Sequence, residues 1–224
     1  MRLVVLGANG RTGGEVLRVA LEKGMDVTAV VRSPDRAPAI RHERLRVIVG
    51  DPCDPAFLKT VFPGQDAVIS TLGGRAPTKA ATSVYYRSAE AIVDAARETG
   101  LTRVLVTSTA LLFPEQPLMG KVLRLVVPNV VRSAARMEDI YRSSGLDWTS
   151  ARAGFLTDAD AVSYRAVKDA PPTTGTSVSR RALAEFLVDA MEDPDAYGAA
   201  FGVGDRPAPS REGHVEGQAG VRAS

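Results

Sequence analysis

Short apolar runs alternate with longer helical patterns through most of the chain, and this alternation restricts the fold more than any other feature. The runs are apolar nearly throughout, as expected for parallel strands that are covered by helices on both faces. The predicted strands are 2–6, 26–31, 46–49, 66–71, 103–108 and 147–152, and the predicted helices are 12–23, 55–62, 83–99, 129–144 and 180–192. The sequence therefore predicts an α/β fold with a doubly wound parallel sheet.

The length of 224 residues suits one domain, which we place at residues 1–204. Late segments of a doubly wound fold usually build the substrate side, so we assign 110–130 and 153–180 to it. Within the first of these, the run at 121–131 is interrupted by an arginine and a proline and predicts two helices over a pocket. Residues 205–224 are rich in Gly, Ala, Pro and Ser and are predicted to be a disordered tail.

The composition argues against several classes of partner. Lys plus Arg number 28 against 26 Asp plus Glu, so we expect no nucleic-acid partner. Cys53 is the single cysteine and cannot form an internal disulfide, and His42 and His214 offer no metal-ligand spacing, so we expect no metal. No apolar run reaches the length of a signal sequence or a membrane span. We therefore expect a cytoplasmic protein without a membrane partner.

Three glycines follow the first predicted strand and open the first helix. Gly7, Gly10 and Gly13 permit a tight turn and a close approach of phosphate and of helix to strand. Glycines can also serve packing alone, but a second strand follows at the interval of a βαβ unit, which favours a nucleotide site. Backbone N–H groups at the helix start would hold a pyrophosphate, and the other turn residues predicted to line it are Asn9, Arg11 and Thr12.

Later strand ends supply further cofactor residues. Arg32 stands where NAD-binding proteins carry a carboxylate for the ribose, and a guanidinium there suits a 2′-phosphate, which favours NADP(H) over NAD(H). Asp51 follows the third strand and would either reach the adenine amino group or cap the next helix. The fourth strand ends at Thr71, Leu72 and Gly73, where backbone can pass close to the nicotinamide ribose.

The segments GANGRTGGEV, VVRSP, SGLDWT and SVSRRALAEF together resemble the atypical short-chain dehydrogenase/reductases. The closest similarity is to the group that contains biliverdin-IXβ (flavin) reductase, and it extends over residues 2–204. The resemblance implies one Rossmann domain, NADPH as the usual cofactor, and reduction of a flat conjugated or flavin substrate. The chain departs from that group at Arg152-Ala153-Gly154, where a proline is usual after the sixth strand.

The catalytic pair of ordinary short-chain dehydrogenases, a Tyr followed by Lys four residues later, is missing from its usual helix. The tyrosine there, Tyr141, is followed at that spacing by Gly145. Tyr164 and Lys168 have the right spacing but lie in a segment without helix signals, so we do not expect them to be catalytic. The resemblance instead places Ser108 beside the nicotinamide, where its hydroxyl would orient a substrate oxygen or be satisfied by backbone.

These features predict an NADPH-dependent reductase of a flavin, quinone or other planar conjugated acceptor. An apolar set suits such a ligand, comprising Leu111, Leu112, Phe113, Met119, Phe155 and Leu156. Two alternatives stay open, namely an NmrA-like protein that senses NADP(H) without turnover and an epimerase-like enzyme. The sequence does not indicate the oligomeric state.

Overall fold

The computed structural model describes residues 1–74, 76–115, 118–172 and 177–206. The strands in these ranges are β1 (Arg2–Leu6), β2 (Asp26–Val31), β3 (Leu45–Val49), β4 (Ala67–Ser70), β5 (Arg103–Thr109), β6 (Asp147–Ala153), β7 (Phe155–Thr157), β8 (Tyr164–Lys168), β9 (Ser177–Ser179) and β10 (Ala199–Asp205). Eight of them form one sheet in the order β3-β2-β1-β4-β5-β6-β10-β8. All pair in parallel except β8, which is antiparallel to β10, and β7 pairs with β9 in a separate ribbon.

Helices cover both faces of the sheet. They are α1 (Arg11–Glu22), α2 (Pro55–Val61), α3 (Lys79–Thr82), α4 (Val84–Thr99), α5 (Leu118–Val126), α6 (Pro128–Arg142) and α7 (Arg180–Asp189). One buried cluster joins α1 and α7 to the sheet, and a second joins α2, α4 and α6 to the opposite face. The predicted α/β, doubly wound, mostly parallel sheet is confirmed, and the carboxyl ends of β1, β2 and β4–β6 meet at one edge.

The predicted elements agree with the structure to within one or two residues where local chemistry marks their ends. Asp54 caps α2 by accepting from the Ala56 amide, and Gly100 ends α4 in the left-handed conformation. The helix pair predicted at 121–131 is present as α5 and the start of α6, separated at Val127.

The strands after residue 153 were not predicted. β10 carries two glycines, and Gly202 packs so tightly that an added Cβ would lie 2.8 Å from the Pro172 nitrogen. Glycine weakens strand signals in sequence although here it permits close backbone approach. β10 ends at Asp205, whose Oδ1 accepts from the Ser179 amide, and residues 207–224 of the predicted tail lie outside the described residues.

Among the helices of the described ranges, none is both long enough and apolar enough to cross a bilayer. The longest of them, α4, is amphipathic and packs its apolar face into the core.

Candidate functional site

The glycine turn joins β1 to α1 at the carboxyl edge of the sheet. Gly7 has a φ of +85°, and its carbonyl oxygen accepts from the Gly10 amide at 2.9 Å. A Cβ on Gly13 would lie 2.8 Å from the Gly7 carbonyl carbon and closer still to its oxygen, so α1 can approach the turn only with glycine there. The first turn of α1 contains no acidic residue, and the Gly10 N-cap makes no side-chain hydrogen bond to it. The backbone N–H groups of this first turn therefore fit a pyrophosphate.

Thr71 braces this turn from the neighbouring strand end. Its hydroxyl donates to the Leu6 carbonyl at 3.1 Å, and its amide donates to the same oxygen at 2.9 Å. A Cβ on Gly7 would meet the Thr71 hydroxyl oxygen at 2.8 Å. The side chain predicted to bind cofactor therefore holds the glycine turn in place, and its hydroxyl is already engaged.

A cavity of about 510 Å³ lies over the glycine turn. Asn9, Gly10 and Arg11 line it from the turn, and Arg36 lines it from the segment after β2. Thr12 is half-buried one residue into α1. Three of the predicted turn residues therefore line a space that is open to a ligand, and both arginines and carboxylates border it, since Glu15, Asp35 and Asp158 line it as well.

A second cavity, of about 310 Å³, brings together four of the predicted cofactor residues, Arg32, Asp51, Leu72 and Gly73. Arg32 is exposed and forms no ion pair with any other described residue. The Asp51 carboxylate accepts from the Cys53 amide at 2.9 Å, while Asp54 caps α2. The alternative role for Asp51 as the helix cap is thus wrong.

Cys53 lines this second cavity. Burial, followed by the nearby Asp51 carboxylate, raises the pKa of its thiol. The thiol therefore stays protonated at neutral pH, which agrees with a packing role.

Ser108 lies in β5, directly opposite Arg152 of β6 in the parallel register. Its hydroxyl oxygen is buried and has no hydrogen-bond partner among the described residues. The alternative in which backbone satisfies this hydroxyl is therefore not observed. A buried hydroxyl without a partner is costly, and Ser108 shares this state with Gln65 Oε1 and Thr157 Oγ1 among the described residues, but of the three it alone lies at the carboxyl end of β5.

A buried ion pair that the sequence did not reveal lies beside Ser108. The Glu138 carboxylate, on α6, is 1% exposed and accepts from Nε and Nη2 of Arg152 at 3.0 and 2.5 Å. The Ser150 hydroxyl donates to the same carboxylate at 2.7 Å. In the sequence, this network could have been suspected from Ser150 and Arg152, two polar residues within a predicted apolar strand.

A second unpredicted ion pair links the glycine turn to the late segments. The Asp158 carboxylate contacts Nη1 of Arg11 at 2.8 Å and Nη1 of Arg180 at 2.5 Å. Arg180 opens α7 and is mostly buried, whereas Asp158 is exposed beyond β7. The segment assigned to the substrate side is thereby fastened to the start of α1.

The apolar set predicted to line a pocket is divided by the structure. Phe113 is fully buried and lies 4.7 Å beneath the Arg152 guanidinium, and Leu111 is also buried. Met119 and Phe155 are 69% and 55% exposed. The first two are core residues beside the site, and the last two face solvent in this structure.

The two tyrosines considered as proton donors are placed elsewhere. Tyr141 is buried in α6, and burial raises its pKa. Tyr164 lies on the edge strand β8 and donates to the Asp189 carboxylate at 2.9 Å, while Lys168 donates to the Asp195 carbonyl. Burial and then Asp189 raise the pKa of Tyr164. The predicted exclusion of the Tyr164 and Lys168 pair agrees with this placement.

The chain is similar in sequence to known proteins. A family described as NAD(P)H-binding matches residues 7–194. A photosystem II assembly factor, Ycf39 of Cyanophora paradoxa, is 26% identical over 152 residues, which are 66% of this chain and 44% of that protein. The chain thus spans less than half the length of this relative.

Solved structures share the fold over nearly the whole chain. A short-chain dehydrogenase/reductase of Veillonella parvula in complex with NADP superposes with a TM-score of 0.77 at 23% identity, covering 93% of this chain and 98% of that one. ChuY, an anaerobillin reductase of Escherichia coli O157:H7, gives 0.76 at 22% identity, covering 93% and 100%. Since the family match includes the glycine turn and most of the chain, this protein belongs to the NAD(P)H-binding family, and it shares the Rossmann fold of these solved structures.

Proposed function

We propose that the protein is a cytoplasmic NADPH-dependent reductase that transfers hydride to a flavin, quinone or other planar conjugated acceptor. The observation that carries the proposal is the buried hydroxyl of Ser108, which has no partner among the described residues and lies on the sheet edge that carries the glycine turn. The family match and the NADP complex of a structural relative support the choice of cofactor class.

Different residues at the carboxyl edge of the sheet bind different parts of the NADPH molecule. Amides at the start of α1 bind the pyrophosphate, and the glycines admit it close to the backbone. Arg32 binds the 2′-phosphate, because its side chain is exposed in the second cavity and forms no ion pair with another described residue. Asp51 reaches the adenine from the same cavity, and Leu72 and Gly73, after β4, let the backbone pass close to the nicotinamide ribose.

At the reacting end, bound NADPH supplies the hydride. Ser108 donates its hydroxyl proton in a hydrogen bond to the acceptor oxygen and so orients the acceptor. The buried side chains of Phe113 and Leu111 exclude water from the side of the site that faces the core. The proton that completes the reduction comes from solvent, as the resemblance to flavin reductases implies, while Tyr141 is buried in α6 and Tyr164 donates to Asp189.

Replacing Arg32 tests the cofactor preference. Arg32→Ala is expected to weaken NADPH binding by about 1–3 kcal/mol while NADH binding stays unchanged, because only the charge-assisted bonds to the 2′-phosphate are lost. Calorimetric titration of both nucleotides measures this, with Arg41→Ala, another exposed arginine, as the control. Equal losses for NADPH and NADH in Arg32→Ala would show that Arg32 does not read the phosphate.

Replacing Ser108 separates a substrate-binding role from a structural one. Ser108→Ala is expected to lower the rate of NADPH oxidation by about 100-fold, as for removal of a positioned donor, without lowering the free energy of unfolding. Thr109→Ala is the control, because the Thr109 hydroxyl accepts from the Leu111 amide and should cost about 1 kcal/mol of stability with little effect on rate. A Ser108→Ala protein that loses stability and keeps its rate would assign Ser108 to the scaffold.

A sensing role without turnover is the second candidate, and the placement of Tyr141 in the core and of Tyr164 on β8 favours it. The two candidates differ in one assay. The full chain is mixed with NADPH and a panel of flavins, quinones and bilins, and absorbance is followed at about 340 nm, where only the reduced nicotinamide absorbs. A reductase oxidises NADPH with at least one acceptor, whereas tight binding without oxidation in the whole panel supports sensing.

A further inference from the structure

Helix α5 turns its apolar face away from the protein. Five of the twelve large apolar side chains that are exposed among the described residues lie on this nine-residue helix. Leu118, Leu125 and Met119 are 79%, 82% and 69% exposed, and Val122 and Val126 are 49% and 66% exposed. Such a concentration on one short element is unusual for a surface that faces only water.

The exposed residues form one stripe along the helix. At about 100° per residue the five side chains fall within an arc of about 120°. Gly120, the one buried residue of α5, lies on the opposite side, where the helix rests on the protein. The amphipathic pattern is therefore inverted relative to a core helix, and the face has no partner among the described residues.

The charged residues within α5 and in the first turns of α6 are all positive. The sequence has no Asp or Glu between residues 116 and 137. Lys121 borders the apolar stripe, Arg124 lies farther round the same helix toward the Gly120 side, and Arg132 lies near the start of α6. All three are exposed, and none forms an ion pair with another described residue. An apolar stripe with unpaired cations beside it complements an interface that is apolar inside and anionic outside.

We propose that α5 docks the protein on an anionic membrane surface, with the apolar stripe inserted among the acyl chains, Lys121 beside it at the headgroups, and Arg124 adding positive charge from the far side of the helix. The sequence argument against a membrane partner considered only spanning segments, and a helix that lies in the interface needs none. The proposal does not depend on the reductase activity.

A second copy of the chain fits this face less well. A nine-residue helix is about 13 Å long, and one side of it falls well short of the ~800 Å² per partner of a standard interface. A two-fold contact through α5 would also bring Lys121 near its own symmetry mate, where like charges repel.

Vesicle sedimentation with the full chain tests the proposal. We expect binding to vesicles of phosphatidylcholine and phosphatidylglycerol in equal parts, at least about tenfold weaker binding to phosphatidylcholine alone, and weakening as salt screens the headgroups. L118S/L125S should reduce the partition coefficient at least about tenfold, since burial of one Leu side chain is worth about that factor. K121E/R124E should reduce it by a similar factor on the anionic vesicles alone.

Two double variants far from α5 serve as matched controls. V47S/V49S removes exposed apolar residues from the edge strand β3, and R41E/R46E makes the same change in net charge as K121E/R124E. Both should bind vesicles like the unmodified chain, and thermal unfolding by circular dichroism verifies that every variant is folded. Absence of binding to anionic vesicles, equal losses in the controls, or a dimer in light scattering that L118S/L125S dissociates would each overturn the proposal.

Discussion

Gly13→Ala is expected to abolish measurable binding of NADPH and to lower the free energy of unfolding by about 1–3 kcal/mol. The added Cβ would lie 2.8 Å from the Gly7 carbonyl carbon and 2.9 Å from the Thr71 hydroxyl oxygen, so α1 must move away from the turn. That movement displaces the amides that would hold the pyrophosphate. Urea unfolding measures the stability change, and calorimetric titration with NADPH measures the loss of binding.

The next residue provides the control for this experiment. Gly14 is also in the first turn of α1, but a Cβ there would meet no heavy atom within 4 Å. Gly14→Ala is therefore expected to keep NADPH binding and to raise the free energy of unfolding by about 0.5–1 kcal/mol, the helix preference of Ala over Gly. Equal behaviour of the two variants would contradict the role assigned to the close contact between Gly13 and Gly7.

Glu138→Gln is expected to cost about 3–5 kcal/mol of stability, because the Arg152 guanidinium would remain buried without its counter-charge. The NADPH-dependent activity should fall as well, since Arg152 lies opposite Ser108 and over the Phe113 ring. Denaturant unfolding and the oxidation assay, carried out well below the unfolding temperature of the variant, measure the two effects separately.

The exposed ion pair between Glu90 and Arg136 provides a control for this substitution. Glu90 accepts from Arg136 at 2.6 Å, with both side chains about half exposed, so Glu90→Gln should cost less than about 1 kcal/mol. A second control, E138L/R152M, replaces the buried pair by apolar groups and should recover most of the lost stability. If Glu138→Gln lowers the free energy of unfolding no more than Glu90→Gln does, the buried Arg152 does not depend on the charge of Glu138.

Local patterns accounted for what the sequence predicted well. The first six strands, their helices and the glycine turn follow from residues close in sequence, and the parallel topology then brings Arg32, Asp51 and Gly73 to one cavity. The pairing of Glu138 with Arg152 depends on how α6 packs against β6, which no local pattern contains. Asp158 likewise meets Arg11 only through the fold.

The orientation of helix α5 could not be predicted from the sequence. Its amphipathic pattern is plain in the sequence, and the expectation that it covers a pocket assumed that the apolar side faces inward. Periodicity shows that one face is apolar but not which way that face is turned, since the direction depends on what the helix packs against. The exposure of Leu118 and Leu125 therefore became visible only in the structure.

Transfer of deuterium from NADPH labelled at the reactive nicotinamide carbon tests the central claim most directly. We predict that the full chain oxidises the labelled cofactor with at least one planar acceptor. Deuterium should then appear in the reduced product, or the labelled cofactor should be oxidised more slowly than unlabelled NADPH. Ser108→Ala should suppress the reaction. Binding of NADPH with no transfer to any flavin, quinone or bilin would contradict the proposed reductase activity.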